Sequence, residues 1–493
     1  MGTAQRSERT DAKPNVLLVT MDQLRADAVF DPAISTPTLD ALRNEGVSFL
    51  RHYAQAAPCS PARAALYTGT YQMNNRVVAN GTPLDARFDN VALFARRNGY
   101  DPVLFGYTDQ SIDPRTVADP DDPRLDSYEE VLPGFRPVCH LPSIDSSPWL
   151  SWLRHHGFDP GTTTNAALTS EPDRPADYSV SAFLSEQFLA WLNEQHGPWF
   201  AHLSFLRPHP PYGAAGEFAR AYDPNNTGSW ITPTTKPHPL HGAALSLPGV
   251  AAPSDPAEIG MMRAQYFGMI SEVDHQFGRI IAELKRSNQW EHTIVILTAD
   301  HGEQLGDHGL KEKLGFFPQS YHIPLIVHDP FHQNGHGEQI HALTESVDVF
   351  ATIADLLELP APAQIDGISL KAFLQGTTPH GWRTAAHYEW DWRYLFLDGP
   401  STIVHRGLSN HNLAVHLTNE MAYVHFGDNS SLCFDLLADP TWRTLVVDPA
   451  KILEAAEGML LWRQQSLERT MTDMLIGKER TGRWPSPTAS AVT

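Results

Sequence analysis

Cysteine is scarce in this sequence: Cys59, Cys139 and Cys433 are the only three in 493 residues. A low, odd count argues against a disulfide framework. Positive charge is short as well. Thirty-six Lys and Arg face 57 Asp and Glu, a net charge of −21, so there is no basic footprint for nucleic acid or an anionic membrane surface. An anionic substrate would have to be held by a few local cations against the field of the whole molecule. Long apolar runs are missing too. Nothing approaches the ~20 residues that span a bilayer, and the opening "MGTAQRSERTDAKP" lacks the apolar centre of a signal peptide. The expectation is a soluble, cytoplasmic protein with no membrane and no nucleic-acid partner. The sequons at Asn225 and Asn429 then carry little information.

Apolar residues are present in ordinary globular proportion, 42% against 19% charged, and the length would accommodate two or three cores. "NVLLVTM" is a continuous apolar run stopping at Asp22, and "TIVILTAD" is another ending on Asp300. Such runs predict strands buried on both faces, as in parallel α/β sheets. "DPVLFG" and "WFAHLSF" predict two more. Between them, "STPTLDALRNEG" has Thr36 as N-cap, Pro37 at the first helical position and Gly46 as terminator. A second helix is expected over 178–196. Ile259, Met262, Tyr266, Ile270, Val273, Phe277, Ile280 and Leu284 recur at steps of three and four, the stripe of one long amphipathic helix. Ligands of open α/β sheets bind outside the carboxyl ends of the strands, so Asp22 and Asp300 should meet on one edge.

The stretch 207–257, rich in Pro, Gly, His and Asn, is long enough to be a lid, binding loop or oligomer arm. From about Arg393 the texture changes. "RYLFLD", "TIVHRG", "LAVHLT", "AYVHFG" and "SLCFDLL" predict short strands, followed by a helix through the 450s and 460s. That is an antiparallel sheet with one packed helix. The tail "TGRWPSPTASAVT" is expected to be mobile unless a partner holds it. The organisation expected is an α/β catalytic domain over 13–375, an antiparallel-sheet subdomain over 376–478 and a tail over 479–493.

Cys59 sits in "PCSPAR", where Ser60 can cap a helix beginning at Pro61, with Arg63 in its first turn. A thiol just ahead of a helix N-terminus would have a lowered pKa and be reactive. A half-buried structural cysteine beside a well-capped helix is the alternative.

The same segment, Cys-x-Pro-x-Arg continued to "ALYTG", resembles the pattern of the sulfatase family within the alkaline phosphatase superfamily. "NVLLVTMDQLRAD", "TPTLDALRNEGVSFLRHYAQ", "TADHGEQLGDHG" and "YVHFGDNSSLCFDL" are also similar to sulfatase segments, in the family's order. The resemblance implies an alkaline phosphatase-like α/β/α sandwich with a mixed, largely parallel sheet. It also implies that a formylglycine-generating enzyme oxidises Cys59, and that the hydrated aldehyde is the nucleophile, acting through a covalent enzyme-ester intermediate. Arg63 would orient the hydrate, Lys313 would bind substrate, and His209 would protonate the leaving oxygen. One divalent ion is implied, with Asp22, Gln23, Asp300, His301 and the modified Cys59 as its ligands. Hard oxygen donors suit Ca²⁺ or Mn²⁺, and histidine nitrogen leaves Zn²⁺ open. An Asp at a strand end is otherwise often the N-cap of the next helix.

Three positions depart from the common sulfatase pattern: Gln23 for a second acid, His301 for Asn, and "GYTDQ" for "GKWH". These look like the phosphonate monoester hydrolase branch, which implies substrate contacts from Asn80, Tyr107, Thr108 and the residue at 109. That residue is Asp109, where the branch tends to have a hydroxyl. A carboxylate there would repel an anion unless it pairs with a cation or binds a second metal.

The expected activity is hydrolysis of a small anionic ester: a sulfate ester by the broad family signal, or a phosphonate monoester or phosphodiester by the same mechanism. The alternative of another class is a catalytically silent metal- or thiol-binding protein. The central loop and the tail suggest a homo-oligomer, dimer or tetramer.

Overall fold

The structure, a computed structural model, describes residues 13–143, 145–392 and 410–468, together with the backbone of 475–476 and 482–483. Strand β1 (Asn15–Met21) is buried along its whole length. Its side chains alternate between two cores. Leu17, Val19 and Met21 face one, and Val16 and Leu18 face the other. Burying each such side chain on either face is worth ~1.5–3 kcal/mol, which is why the run carries no charge until it ends at Asp22.

Around β1 the other strands are β2 (Val47–Tyr53), β4 (Val103–Gly106), β5 (Arg136–His140), β6 (Phe200–Phe205), β7 (Thr293–Thr298), β8 (His322–His328), β9 (Gln339–Ile340) and β10 (Thr344–Glu345). They form a nine-stranded sheet in the order β10-β2-β8-β7-β1-β6-β4-β5, with β9 beside β2. β8 runs antiparallel to both of its neighbours, and the remaining pairs are parallel. Helices cover both faces. Val180–Leu192 and Pro256–Arg286 pack on one core, and Cys59–Thr68, Val91–Arg97 and Asp348–Leu356 on the other. All eight apolar positions of the 259–284 stripe are buried. This is the α/β/α sandwich with a mixed, largely parallel sheet.

The parallel register sets the working edge. Thr20 pairs with Thr298 and with Ser204, and Phe105 with Leu203. Asp22, Asp300, Tyr107 and Arg207 therefore all leave the carboxyl ends of adjacent strands.

A second sheet has the order β14-β13-β12-β11-β3. β11 (Ala386–Asp391), β12 (Asn412–Leu417), β13 (Met421–Phe426) and β14 (Ser431–Asp435) pair antiparallel. The fifth strand, β3 (Ala56–Ala57), comes from far upstream and runs parallel to β11. It delivers the chain directly to Cys59, so this sheet braces the helix Cys59–Thr68. The helix Pro449–Gln465 covers the other face through Ala455, Met459 and Trp462, against Tyr423 and Cys433. The expected strands "RYLFLD" and "TIVHRG" lie outside the described residues. So does most of the tail, in which Gly482–Arg483 pairs with Leu475–Ile476.

Two helix starts differ from expectation. Thr36 does occupy the N-cap position ahead of Pro37, but its hydroxyl makes no capping bond. Asp274 of the long helix takes that role, accepting from the N–H groups of Thr38 (3.0 Å) and Leu39 (2.8 Å). The expected helix over 178–196 begins at Val180, capped by Ser179, and ends at Leu192. Among the described residues no helix is long and apolar enough to cross a membrane.

Candidate active site

The helix Cys59–Thr68 starts at Cys59 itself, with Pro58 at the N-cap and no side-chain cap. Ser60 is not the cap, because it already lies inside the first turn. Its N–H donates to Asn80 Oδ1 at 3.0 Å, which satisfies one donor of the helix end. Every residue of this helix is buried. The Cys59 thiol lies 3.2 Å from His301 Nε2. Burial raises its pKa well above the ordinary thiol value. Lys313 opposes the rise, while the carboxylates of Asp22, Asp109 and Asp300 add to it. The helix terminus is outweighed, and the encoded thiol is not the activated thiolate that its sequence position suggests.

Asp22, Cys59, Asp300 and His301 form a fully buried group whose ligand atoms all lie within 4.8 Å of one another. Arg63, one turn past Cys59, bridges the two carboxylates: Nη2 donates to Asp22 Oδ2 at 3.0 Å and Nε to Asp300 Oδ2 at 2.9 Å. Its Nη1 donates to Ser204 Oγ at 2.8 Å. Burial alone would raise Asp22, but the cations around it, Arg63 and Lys313 among them, hold it well below the usual carboxylate range. Asp22 Oδ1 nevertheless has no hydrogen-bond partner. A buried anionic oxygen left unpaired is costly, and a cation removes that cost. His301 contributes a lone pair to the same space. Its Nδ1–H faces Gly302 O at 3.1 Å, and burial lowers its pKa, so the ring is neutral. Two carboxylates and one imidazole, with residue 59 between them, fit a divalent ion.

Gln23 follows Asp22 in left-handed backbone (φ 67°), and its N–H donates to Asp300 Oδ1 at 3.1 Å. The side chain turns toward another cluster. Its Oε1 accepts from Lys313 Nζ at 2.8 Å, and its Nε2 donates to Glu303 and to Glu312 Oε2. The carbonyl expected on the metal thus serves Lys313. Lys313 Nζ also lies 2.9 Å from His209 Nε2, while His209 Nδ1–H donates to Pro210 O at 2.7 Å. Burial, then Lys313, lowers the His209 pKa. For Lys313 burial works against the charge, yet Cys59, Glu312 and Asp22 hold its pKa above the ordinary lysine range. The pair is a charged donor and a neutral acceptor.

Tyr107 donates its phenol to Asp22 Oδ2 at 2.6 Å, and its ring lies 4.5 Å from the Arg63 guanidinium. It orients the Asp22 carboxylate. Asp109 Oδ2 is 3.5 Å from Arg63 Nε, which supplies the cation its position demands, and its Oδ1 has no partner. Burial raises the Asp109 pKa against the pull of Arg63, with Glu129 adding to the rise. Thr108 is not brought to the site. Its hydroxyl donates to Glu130 O at 2.7 Å and accepts from Leu132 N–H at 2.9 Å, pinning the next segment of chain.

Several residues of the site had no part in the sequence reading. Glu303 and Glu312 lie inside the quoted "TADHGEQLGDHG" block or just after it, and Arg207 stands two residues past the end of β6. The strand-end rule that found Asp22 and Asp300 applies equally to Arg207.

A sequence profile of the sulfatase family matches residues 14–359, and one described as N-sulphoglucosamine sulphohydrolase, C-terminal, matches 306–459. The chain is 37% identical to the multifunctional alkaline phosphatase superfamily protein PehA of Trinickia caryophylli, over 93% of this chain and 97% of that protein. Two solved structures superpose on 96% of it. One is a phosphonate monoester hydrolase of Agrobacterium radiobacter (41% identical, TM-score 0.88, 100% of that chain). The other is the phosphonate monoester hydrolase SpPMH from Silicibacter pomeroyi (33% identical, TM-score 0.86, 99% of that chain).

Proposed function

This chain belongs to the sulfatase family of the alkaline phosphatase superfamily, and from that premise we propose that it hydrolyses monoanionic phosphonate monoesters and phosphodiesters. The observation that carries the hydrolase reading is the buried Asp22–Cys59–Asp300–His301 group with the Lys313–His209 pair beside it. The preference for phosphorus rests on whole-chain similarity to two phosphonate monoester hydrolases. Sulfate-ester hydrolysis, the stronger expectation from the sequence, is the second reading and is favoured by the sulfatase profile. The two substrates share charge and tetrahedral shape, so one site can serve both.

Asp22, Asp300, His301 and the modified residue 59 would hold one divalent ion, with the Cys59 sulfur standing where an oxygen ligand would be. Such an ion would neutralise charge on non-bridging oxygens and activate a bound nucleophile. Formylglycine at 59, presented by the start of the helix Cys59–Thr68, would supply the nucleophilic hydroxyl in its hydrated form.

The chain's other residues bind, orient and move protons. Arg63 fixes both metal-side carboxylates, and Tyr107 orients the first of them. Asn80 holds the helix start that presents residue 59. Lys313 offsets charge on the ester oxygens. His209 Nε2, fed by Lys313 Nζ, is the atom through which a proton reaches the departing oxygen. A silent metal- or thiol-binding protein would have no use for this last pair. The working protein is expected to be a cytoplasmic homo-oligomer matured by a formylglycine-generating enzyme.

The test uses protein co-produced with that enzyme. The mass of tryptic peptide 52–63 first establishes whether Cys59 has become the aldehyde. Then kcat/KM is measured side by side on an aryl phosphonate and an aryl sulfate. Higher kcat/KM on the phosphonate supports the reading, and higher kcat/KM on the sulfate overturns the substrate preference. An unmodified thiol under these conditions overturns the mechanism.

A further inference from the structure

The segment that carries His209 reads Arg207-Pro-His-Pro-Pro-Tyr-Gly213. Three of its residues, Pro208, Pro210 and Pro211, have no N–H, so beyond the turn bond from His209 N–H to Leu206 O at 3.0 Å the segment has few donors with which to close itself. Its carbonyls must find donors elsewhere. Arg207 supplies them. Its guanidinium is 1% exposed, and Nη1 donates to His209 O at 2.7 Å and to Pro211 O at 2.9 Å. Nη2 reaches Gly213 O and Leu168 O, each at 3.4 Å. The loop is wrapped around one buried cation.

That cation is itself fixed. Glu171, also 1% exposed, accepts from Arg207 Nε at 2.9 Å and from Nη2 through the same oxygen. Its other oxygen accepts the Val180 N–H at 2.7 Å, at the start of the Val180–Leu192 helix. Glu272 of the long helix holds the same helix start, accepting from Ser179 Oγ at 2.5 Å and Ser181 Oγ at 2.8 Å. A continuous polar path therefore runs from the rigid helical layer to the backbone of His209.

We propose that Arg207 and Glu171 are positioning residues that set where His209 Nε2 stands, and so whether the proton it takes from Lys313 reaches the leaving oxygen. The proposal rests on the reading of His209 given above. A buried ion pair returns little net stability. What this one supplies is geometry, because five donors in a planar fork can gather several carbonyls and a lysine cannot. His209 lies at the far end of a donor–acceptor chain, where a shift of about 1 Å costs on the order of a hundredfold in rate.

The test compares Arg207→Lys, Glu171→Gln, His209→Ala and the double variant Arg207→Lys/His209→Ala with the unaltered protein, all as formylglycine-bearing, metal-loaded enzyme. Formylglycine and metal content are measured alongside. Substrates carry either a good (4-nitrophenolate) or a poor (alkoxide) leaving group. Arg207→Lys is expected to lose about a hundredfold in kcat on the alkoxide and only a few-fold on 4-nitrophenolate. Glu171→Gln, which keeps an acceptor, should fall between. The double variant should be no slower than His209→Ala alone. Hydrogen exchange of the 206–213 amides should quicken in Arg207→Lys while that of 180–192 stays unchanged. Equal losses on both leaving groups, additive losses in the double variant, or unchanged exchange would each overturn the proposal. If Arg207→Lys does not fold, Glu171→Gln is judged by the same measures. If His209→Ala itself shows no leaving-group dependence, the acid assignment fails, and exchange alone decides whether Arg207 holds the loop.

Discussion

Lys313 Nζ lies 2.9 Å from His209 Nε2, across 104 residues of sequence. The contact fixes the state of both partners. A lysine kept charged by the carboxylates around it donates, so the imidazole nitrogen must accept. His209 Nδ1–H is committed to Pro210 O, and the ring is neutral. In the proposed reaction the proton for the leaving oxygen therefore starts on Lys313.

Replacing Lys313 by Met removes that proton source and a cation from a site that must hold an anion. A loss in kcat/KM on the order of 10²–10³-fold is expected, the scale of deleting one preorganised charge. Burial and then Lys313 hold His209 down, so the variant's His209 should titrate at higher pH. Imidazole NMR of the unaltered protein and the variant measures this. An unmoved titration would mean that burial alone sets it.

Arg63 is fully buried between two carboxylates and hydrogen-bonds to both. Arg63→Lys keeps the charge but cannot reach both Asp22 and Asp300 in a planar fork. Leaving one buried carboxylate uncompensated costs about 3–5 kcal/mol. Denaturant titration should show that loss at unchanged m-value. A loss below ~1 kcal/mol would mean that the carboxylates relax or find another partner.

Much of this was legible in the sequence. The apolar runs of β1 and β7 announce buried parallel strands, and their terminal aspartates meet because Thr20 pairs with Thr298. Local texture also marks the long helix and the helix bearing Cys59. What was not legible depends on partners far along the chain. Asp274 takes the capping role that Thr36 was expected to fill. Three carboxylates and burial reverse the expected pKa of Cys59. Thr108 stands beside a site residue in sequence, but the backbone turns its hydroxyl toward 130–132. Short polar stretches carry little periodicity, so the loops that assemble the site, including 208–213, could not be oriented from sequence.

Metal binding should stabilise the fold, because the unfolded chain cannot gather Asp22, Asp300 and His301. At a hundredfold excess over Kd the gain is about 2.7 kcal/mol. Protein stripped with a chelator should therefore melt lower and recover when a divalent ion returns, with the extent ranking Ca²⁺, Mn²⁺ and Zn²⁺. In Asp22→Asn the recovery should be lost, since Oδ1 is the carboxylate oxygen left without a partner. Full recovery in that variant would move the ion elsewhere.

Glu272 offers a test away from the reacting centre. Burial, with Glu171 nearby, raises its carboxyl from 4.5 to about 7. Between these values the unfolded chain has released the proton while the folded protein retains it. Folding is therefore progressively penalised as pH rises from about 4.5 to 7, by about 3 kcal/mol in total, and the penalty is constant above that window. Glu272→Gln cannot ionise, and its amide can still accept from one serine and donate to the other. Relative to the unaltered protein it should gain stability as pH rises from 4.5 to 7, then hold a constant difference. Chemical denaturation of both proteins at pH 4.5, 6, 7 and 8 gives the comparison. A difference that does not change with pH would mean that Glu272 is ionised in the folded protein, and that Ser179 and Ser181 are bound to a carboxylate.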